Sequence, residues 1–163
     1  MGEIAFAEPS LLAITHDLHE FSSGVSTLDD WLRRRALHNQ LSGASRTYVS
    51  ALGRRVVGYY CLASGAIALN EAPRSLRRKM PDPIPVAVLG RLAVDQSFQK
   101  RGLGAALLQD AVERTIQAAS ILGIRGLLVH ALSERAESFY EYYGFSASPT
   151  QPMTLVLSLK DWV

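Results

Sequence analysis

Length, composition and charge exclude several classes of protein. The chain has 163 residues, of which 48% are hydrophobic and 20% charged, with a net charge of +2. This length predicts a single domain over residues 1–163. The one cysteine, Cys61, excludes a disulfide framework, and four His beside one Cys predict no metal site. No apolar run reaches the ~18 residues of a membrane helix, and Met1–Ser10 lacks the basic start of a signal peptide, so we expect a soluble cytoplasmic protein.

The predicted elements begin with a short strand at Glu3–Phe6, followed by a polar stretch through Gly24. Ser26 has the properties of a helix N-cap, because an acidic residue three positions later complements the positive helix N-terminus. Apolar residues recur at helical spacing from Leu28 onward, which predicts a helix to about Gln40.

The rest of the chain alternates strand and helix signals, with Gly144 suited to end the last helix. In chain order the predicted elements are strands Thr47–Leu52 and Val56–Ala68, a proline-rich loop around Pro73–Pro85, strand Val86–Val94, a helix over 102–120, strand Gly126–Leu132, helix Glu134–Tyr143 and strand Met153–Leu159. This order predicts an α/β fold with a mixed sheet and helices on both faces.

Basic residues are concentrated in the middle of the chain. Residues 1–30 carry six acidic and no basic side chains, whereas residues 33–101 carry thirteen basic and three acidic ones. Such a segment fits a phosphate-rich partner or cofactor, and it fits a plain solvated face equally well. Composition alone favours neither interpretation.

The informative local feature is a glycine turn, Gln99–Gly104, between a predicted strand and the start of the long helix. Backbone N–H groups in a first helical turn have no intrahelical partner, and glycines let a phosphate approach them closely. Ala105 follows where a P-loop needs Lys, and Leu107 replaces the third glycine of a dinucleotide fingerprint. A pyrophosphate site and a plain tight turn both fit this spacing.

Two motifs together resemble the GNAT superfamily of N-acetyltransferases. Gln99-x-x-Gly102-x-Gly104, after the strand Leu92–Asp95, is similar to the superfamily's coenzyme A pyrophosphate loop. The block from Ala136 through Tyr140 to Gly144-Phe145 resembles its Ala-x-x-x-Tyr-x-x-x-Gly-Phe pattern. The resemblance covers about Phe21 to the end and implies a mostly antiparallel sheet, splayed at the site of acetyl-coenzyme A, with no metal.

The resemblance also implies residue roles. Tyr140 would lie beside the thioester sulfur, and Ser133, where many members have Asn, would contact the cofactor. The backbone of three strand residues would pair with the pantetheine arm, and the glycine turn would hold the pyrophosphate. These cofactor residues are Leu92, Ala93, Val94, Gln99, Lys100, Arg101, Gly102, Leu103 and Gly104.

The segments Phe21–Gly24, Leu28–Leu32 and Ser45–Val49 resemble the GNAT toxins of bacterial type II toxin–antitoxin pairs. Those enzymes acetylate aminoacyl-tRNA and block translation, and a ribbon-helix-helix antitoxin neutralises them. The resemblance therefore implies an aminoacyl-tRNA substrate, such an antitoxin and a homodimer. The basic residues that would contact RNA phosphates are Arg33, Arg34, Arg35, Arg74, Arg77, Arg78, Lys79 and Arg91.

The residues present suit an acceptor with an α-amino group. Such a group has a reference pKa of ~7.7–8.0, so a usable fraction, roughly a tenth or more, is already neutral near pH 7, whereas a lysine at ~10.4 needs a general base. Strand Val86–Val94 carries no carboxylate, and its polar residue is Arg91, where some protein-acetylating relatives place Glu. Tyr140 would stabilise the departing thiolate by donating its proton or by a hydrogen bond without full transfer.

Other reactive residue types have simpler interpretations. Cys61 is expected to be a buried, inert thiol, and His130 is expected to be a satisfied sheet histidine rather than a base. His16, His19 and His38 are expected at the surface. Two rival functions stay open: a GNAT enzyme that acetylates a small amine or a protein amino terminus, and a non-catalytic acyl-coenzyme A-binding module.

Overall fold

The structure, a computed structural model, describes residues 8–161, so the predicted strand Glu3–Phe6 lies outside the described residues. In chain order the elements are β1 (Ser10–Leu11), α1 (Ser26–Trp31), a π-helix (Leu32–Ala36), α2 (Leu37–Ser42), β2 (Arg46–Leu52), β3 (Arg55–Ile67), a 3-10 helix (Leu69–Glu71), α3 (Arg74–Arg77), β4 (Ile84–Val94), a 3-10 helix (Gln96–Phe98), α4 (Leu103–Ala119), β5 (Gly126–His130), α5 (Glu134–Tyr142), β6 (Ser146–Ala147), β7 (Thr154–Ser158) and a 3-10 helix (Leu159–Asp161).

Within residues 8–161, seven strands form a mixed sheet, hydrogen-bonded in the order β1-β2-β3-β4-β5-β7-β6. Strands β4 and β5 are parallel from Val86↔Gly126 to Leu89↔Val129, and β7 is antiparallel to both β5 and β6. β4 itself continues to Val94. The mixed sheet with its helices confirms the predicted α/β class. None of the helices in residues 8–161 has the length and apolar character that a membrane crossing requires.

The chain divides into two compact units. The first unit comprises residues 8–62 and 91–111, and the second comprises residues 63–90 and 112–161. The core of the first unit centres on Tyr59, which is fully buried between Phe21 and Trp31, and the Tyr59 hydroxyl donates to the backbone oxygen of Leu28 at 2.7 Å. This packing fixes α1 against β3.

The start of α1 differs from the prediction. Ser26 is already helical, and the N-cap position belongs to Val25, whose side chain offers no capping oxygen. The acidic residue expected to complement the helix N-terminus, Asp29, is buried and accepts hydrogen bonds from the Ser23 N–H at 3.0 Å and the Ser23 hydroxyl at 2.6 Å. The predicted cap at Ser26 is therefore wrong, because Asp29 is committed to the preceding turn.

The core of the second unit lies between β4, β5 and α3. Leu76 of α3 is fully buried in it, and the backbone oxygen of Leu76 accepts a hydrogen bond from Arg125 Nε at 3.2 Å. Part of the predicted proline-rich loop is thus a four-residue helix, anchored by Leu76, that presents its basic side chains to solvent. The other members of this core are Ile67, Ala72, Ile84, Val86, Leu128 and Val156.

Candidate active site

The glycine turn of the first unit leads from β4 into α4. Gly102 has a φ of +82°, which favours glycine, and a Cβ there would meet no atom within 4 Å. The first intrahelical bond runs from the Ala106 N–H to the Gly102 oxygen at 3.0 Å. This leaves the N–H groups of Leu103, Gly104 and Ala105 without an acceptor inside the helix, beside the positive end of its dipole. The turn can therefore bind an anion with its backbone.

A buried carboxylate braces this turn. Asp95 is 2% exposed, and its two oxygens accept hydrogen bonds from the Ser22 N–H at 3.0 Å and the Ser97 N–H at 2.9 Å. Sequence reasoning did not identify this role. The available signal is an Asp directly after a strand, since an Asp side chain readily accepts the N–H two residues later.

Gln99 also has a bracing role. Its amide nitrogen donates to the backbone oxygens of Ser23 at 3.0 Å and Val94 at 2.9 Å. The Gln96 N–H adds a third link, to the Ser22 oxygen at 2.8 Å. The segment Phe21–Gly24, which carried the resemblance to the toxins, is thus hydrogen-bonded to the approach of the glycine turn.

The two basic residues expected to assist this turn are exposed. Lys100 has a φ of +63°, a left-handed conformation that is uncommon outside glycine. The guanidinium of Arg101 lies 5.5 Å from the centroid of the Phe98 ring. In sequence, both cations lie two to three residues before Leu103, the first of the residues whose N–H groups lack an acceptor inside α4.

The strand expected to pair with pantetheine ends in the first unit. Leu92 and Val94 are half-buried, whereas Ala93 is buried in the core with Tyr59. The preceding residue, Arg91, places its guanidinium over the Trp31 ring at 4.5 Å. This cation–π contact engages Arg91 within the protein.

Tyr140 lies in the second unit, on α5. The side chain is buried between Phe139 and Phe145, with ring centroids 5.2 and 5.3 Å away. Burial raises the pKa of the Tyr140 phenol above its ordinary value, so it stays protonated throughout the neutral range. Within the part of the chain that the structure describes, its hydroxyl makes no hydrogen bond. The phenol is available to a ligand.

Ser133 forms the N-cap of α5. Its hydroxyl oxygen accepts the Ala136 N–H at 3.1 Å, and Glu134 and Glu137 stand in the first turn. These contacts explain why α5 begins where the sequence predicts. A contact from Ser133 to a cofactor stays a prediction.

Three of the basic residues expected to contact RNA converge in the second unit. Arg74, Arg77 and Arg78 line a surface groove of about 490 Å³. Lys160, which sequence reasoning missed, lines the same groove, which we call the basic groove. The groove concentrates four cations, a charge pattern suited to phosphate groups. Lys79 is exposed but does not line it.

The other arginines of that set lie in the first unit. Arg33, Arg34 and Arg35 are exposed on the π-helix. One guanidinium nitrogen of Arg33 donates to the Phe21 oxygen at 2.7 Å, and another lies 3.7 Å from Asp30. The guanidinium of Arg33 is thus partly engaged within the protein, which leaves Arg34 and Arg35 as the better candidates on this helix face for contact with RNA phosphates.

Cys61 and His130 have the surroundings that the sequence predicts for them. Cys61 is buried, as predicted, and forms no disulfide. His130 shares a hydrogen bond with Thr154, its Nδ1 lying 2.9 Å from the hydroxyl oxygen, although its side chain is exposed. Over residues 8–161, His, Cys, Asp and Glu side chains form no group of three or more that could hold a metal ion.

The fold and these motifs match known proteins. Residues 43–147 match the family described as acetyltransferase (GNAT) domain. A tRNA-acetylating toxin from Mycobacterium tuberculosis (strain ATCC 25618 / H37Rv) is 49% identical over 156 residues, which cover 96% of this chain and 94% of the relative.

Two solved structures extend this similarity. AtaT complexed with acetyl-methionyl-tRNAfMet is 30% identical, with a TM-score of 0.88 over 94% of this chain and 95% of that one. A mutant AtaT toxin bound to acetyl-CoA and the C-terminus of the antitoxin AtaR is 28% identical, with a TM-score of 0.82 over 97% and 96%. The glycine turn and the Tyr140 block therefore lie in a chain that belongs to the GNAT acetyltransferase family.

Proposed function

We propose that this chain transfers the acetyl group of acetyl-coenzyme A to the amine of aminoacyl-tRNA, and that it blocks translation as the toxin of a toxin–antitoxin pair. The observation that carries the proposal is its 49% identity, over 96% of its length, to a tRNA-acetylating toxin. The proposal includes a ribbon-helix-helix antitoxin, a homodimer, a cytoplasmic location and a single domain over residues 1–163.

The first unit supplies the means to bind the donor. The free N–H groups at the start of α4 bind the diphosphate, and Lys100 and Arg101 add positive charge. The space that a Cβ of Gly102 would occupy is open, so the diphosphate can approach the backbone there. The backbone of Leu92–Val94 binds the pantetheine arm as a strand would. Asp95 and Gln99 act as positioning residues, because their polar atoms are bonded to the protein.

Tyr140 stabilises the leaving group. Attack of the amine on the thioester carbonyl expels the thiolate of coenzyme A, whose thiol has a reference pKa near ~8.5. A phenol with a pKa above its ordinary value of ~10 is a weaker acid than that thiol. Tyr140 therefore stabilises the thiolate through a donated hydrogen bond more readily than through full proton transfer, which narrows the alternatives left open by the sequence.

The acceptor side needs little assistance. Roughly a tenth or more of the α-amine is neutral near pH 7 at its reference pKa, several hundred times the neutral fraction of a lysine side chain, so attack does not depend on a strong base. Strand β4, Ile84–Val94, carries no carboxylate. Its one ionisable side chain, Arg91, is stacked on Trp31. This arrangement favours an α-amine over a lysine side chain.

Substrate competition tests the proposed function directly. Purified chain and radiolabelled acetyl-coenzyme A are incubated with total charged tRNA, uncharged tRNA, polyamines and peptides in one mixture. We expect label only on the aminoacyl group, released by mild alkaline hydrolysis of the ester. Label on polyamine or peptide alone would reject the toxin function in favour of a general amine acetyltransferase.

Two glycines provide a matched test of the phosphate-binding turn. Gly43 and Gly102 have φ values of +85° and +82°, and a Cβ at either meets nothing within 4 Å. Alanine at either position should therefore cost about 1 kcal/mol of stability. Only Gly102→Ala should raise the Kd for acetyl-coenzyme A, by about tenfold, because its methyl group narrows the approach to the free N–H groups. Calorimetric titration measures the Kd of each variant. Equal Kd values for Gly43→Ala and Gly102→Ala would mean that the turn does not bind acetyl-coenzyme A.

The basic groove gives a second matched test. Replacing Arg77, which lines the groove, with Gln should weaken tRNA binding and reduce the slope of log affinity against log salt by about one unit. Arg135, an exposed arginine outside the groove, is the control. Fluorescence anisotropy at several salt concentrations measures both slopes. Equal slopes for Arg77→Gln and Arg135→Gln would mean that the groove does not contact phosphates.

A further inference from the structure

A second cavity in the second unit has no part in the steps above. It has a volume of about 390 Å³, within the usual range for small-ligand pockets. Its apolar lining comes from Ile67 of β3, Val88 of β4 and Leu128 of β5. Ile67 and Leu128 are buried core residues, with Val88 packed against them. The apolar surface of the cavity is therefore a rigid extension of the core.

Polar groups complete the lining, and two of them are held in place. His130 is fixed through its Nδ1, 2.9 Å from the Thr154 hydroxyl, so Nε2 remains for other contacts. The backbone N–H of Gln151 donates to the Ser148 hydroxyl oxygen at 3.2 Å, and the backbone oxygen of Gln151 accepts from the Thr154 N–H at 2.9 Å. These bonds pre-organise the loop between β6 and β7, which reduces the entropy lost on binding.

Two polar side chains of the lining are available to bond a ligand. Across the described residues 8–161, neither the carboxylate of Glu71 nor the side-chain amide of Gln151 takes part in a hydrogen bond or ion pair. The cavity therefore offers a carboxylate, an amide with both donor and acceptor, and an imidazole nitrogen around an apolar surface.

This set of groups fits a nucleoside. A base places its flat faces on apolar or imidazole surfaces, the amide of a Gln matches the donor and acceptor on the edge of adenine, and a carboxylate accepts hydrogen bonds from ribose hydroxyls. We infer that the cavity binds an adenine nucleoside, with Gln151 reading the base and Glu71 the ribose. Resting on the proposed function, the inference identifies the occupant as the 3′-terminal adenosine of aminoacyl-tRNA.

The assignment has a chemical consequence for the reaction. The aminoacyl ester is attached to the ribose of this terminal nucleoside, so holding the base limits where the α-amine can reach. Every tRNA ends in the same adenosine, so this cavity would recognise the acceptor end independently of the amino acid it carries. Coenzyme A also contains an adenosine, and the experiment must separate these two sources.

Titration with adenosine 5′-monophosphate tests the cavity without acetyl transfer. The wild-type chain should bind it at least fivefold more tightly than cytidine 5′-monophosphate. Gln151→Leu should abolish this preference, and Gln117→Leu, the same change at an exposed position of α4 outside the cavity, should keep it. Equal binding of the two nucleotides by the wild-type chain, or an unchanged preference in Gln151→Leu, would overturn the inference.

Inhibition kinetics assign the source of the nucleoside. We expect adenosine 5′-monophosphate to raise the KM for aminoacyl-tRNA and to leave the KM for acetyl-coenzyme A unchanged. The opposite pattern would give the cavity to the adenosine of the donor and overturn the acceptor assignment. If the wild-type chain acetylates no aminoacyl-tRNA, the proposed function fails, and the acceptor assignment fails with it. Gln151-dependent nucleotide binding would then still support the nucleoside cavity.

Discussion

Replacing Tyr140 with Phe should lower kcat for acetyl transfer by about 10²–10³-fold, the loss expected for one hydrogen-bond donor to a developing anion, and leave the Kd for acetyl-coenzyme A within about threefold. The change removes one hydroxyl and keeps the ring, which packs against Phe139 and Phe145. Because that hydroxyl makes no hydrogen bond within residues 8–161, its removal should not weaken the fold. Single-turnover kinetics and calorimetric titration provide the two measurements.

A neighbouring tyrosine serves as the control. Tyr142 is 82% exposed, so Tyr142→Phe should leave both kcat and Kd unchanged. From pH 6.5 to 8.5 the wild-type rate should rise as the acceptor α-amine loses its proton, with no inflection from Tyr140, because burial holds the pKa of its phenol above the ordinary value. Full activity of Tyr140→Phe would contradict the role given to Tyr140.

Replacing Asp95 with Ala should destabilise the protein by about 2–5 kcal/mol, because it removes a buried carboxylate that accepts two hydrogen bonds, from the Ser22 and Ser97 N–H groups, and bonds to a charged acceptor contribute about 1.5–3 kcal/mol each. The same change should weaken acetyl-coenzyme A binding, since Asp95 braces the approach to the glycine turn. Urea denaturation measures the stability, and titration of the folded variant measures the affinity.

Asp30→Ala is the matched control for this change. The Asp30 side chain is 53% exposed and lies 3.7 Å from Arg33, an exposed ion pair whose loss should cost no more than about 1 kcal/mol. If Asp95→Ala proves too unstable to titrate, Asp95→Asn keeps one accepting oxygen and should show a smaller loss. Equal stability of Asp95→Ala and Asp30→Ala would show that the buried carboxylate contributes nothing.

Elements with a long repeating pattern were predicted closely. The helix expected over 102–120 is Leu103–Ala119, and the helix expected at Glu134–Tyr143 is Glu134–Tyr142. The two-residue strands Ser10–Leu11 and Ser146–Ala147 were missed, because two residues carry no alternation and these strands exist through backbone pairing alone. The sequence predicts a loop where the structure has the four-residue helix Arg74–Arg77, because four residues are too few to show a helical repeat.

The candidate site likewise combines features with a local sequence signal and features that depend on long-range contacts. The glycine turn was located because its signal is local, a strand followed by spaced glycines and a helix. The bracing contact from Asp95 to Ser22 joins residues 73 positions apart, and the stacking of Arg91 on Trp31 joins two separate elements. Lys160 joins Arg74 in the basic groove only through the fold. Such long-range contacts leave no periodic trace in a single sequence.

The burial of the one cysteine has a consequence for repeated turnover. Each acetyl transfer releases coenzyme A as a thiol, which an oxidant converts to coenzyme A disulfide; an accessible protein thiolate attacks that disulfide, forms a mixed disulfide and releases one coenzyme A thiolate. Exchange of this kind requires an exposed sulfur, and Cys61 is 3% exposed. The one cysteine of the chain is therefore shielded from coenzyme A disulfide, and incubation with that disulfide should leave the rate of acetyl transfer unchanged without a reductant.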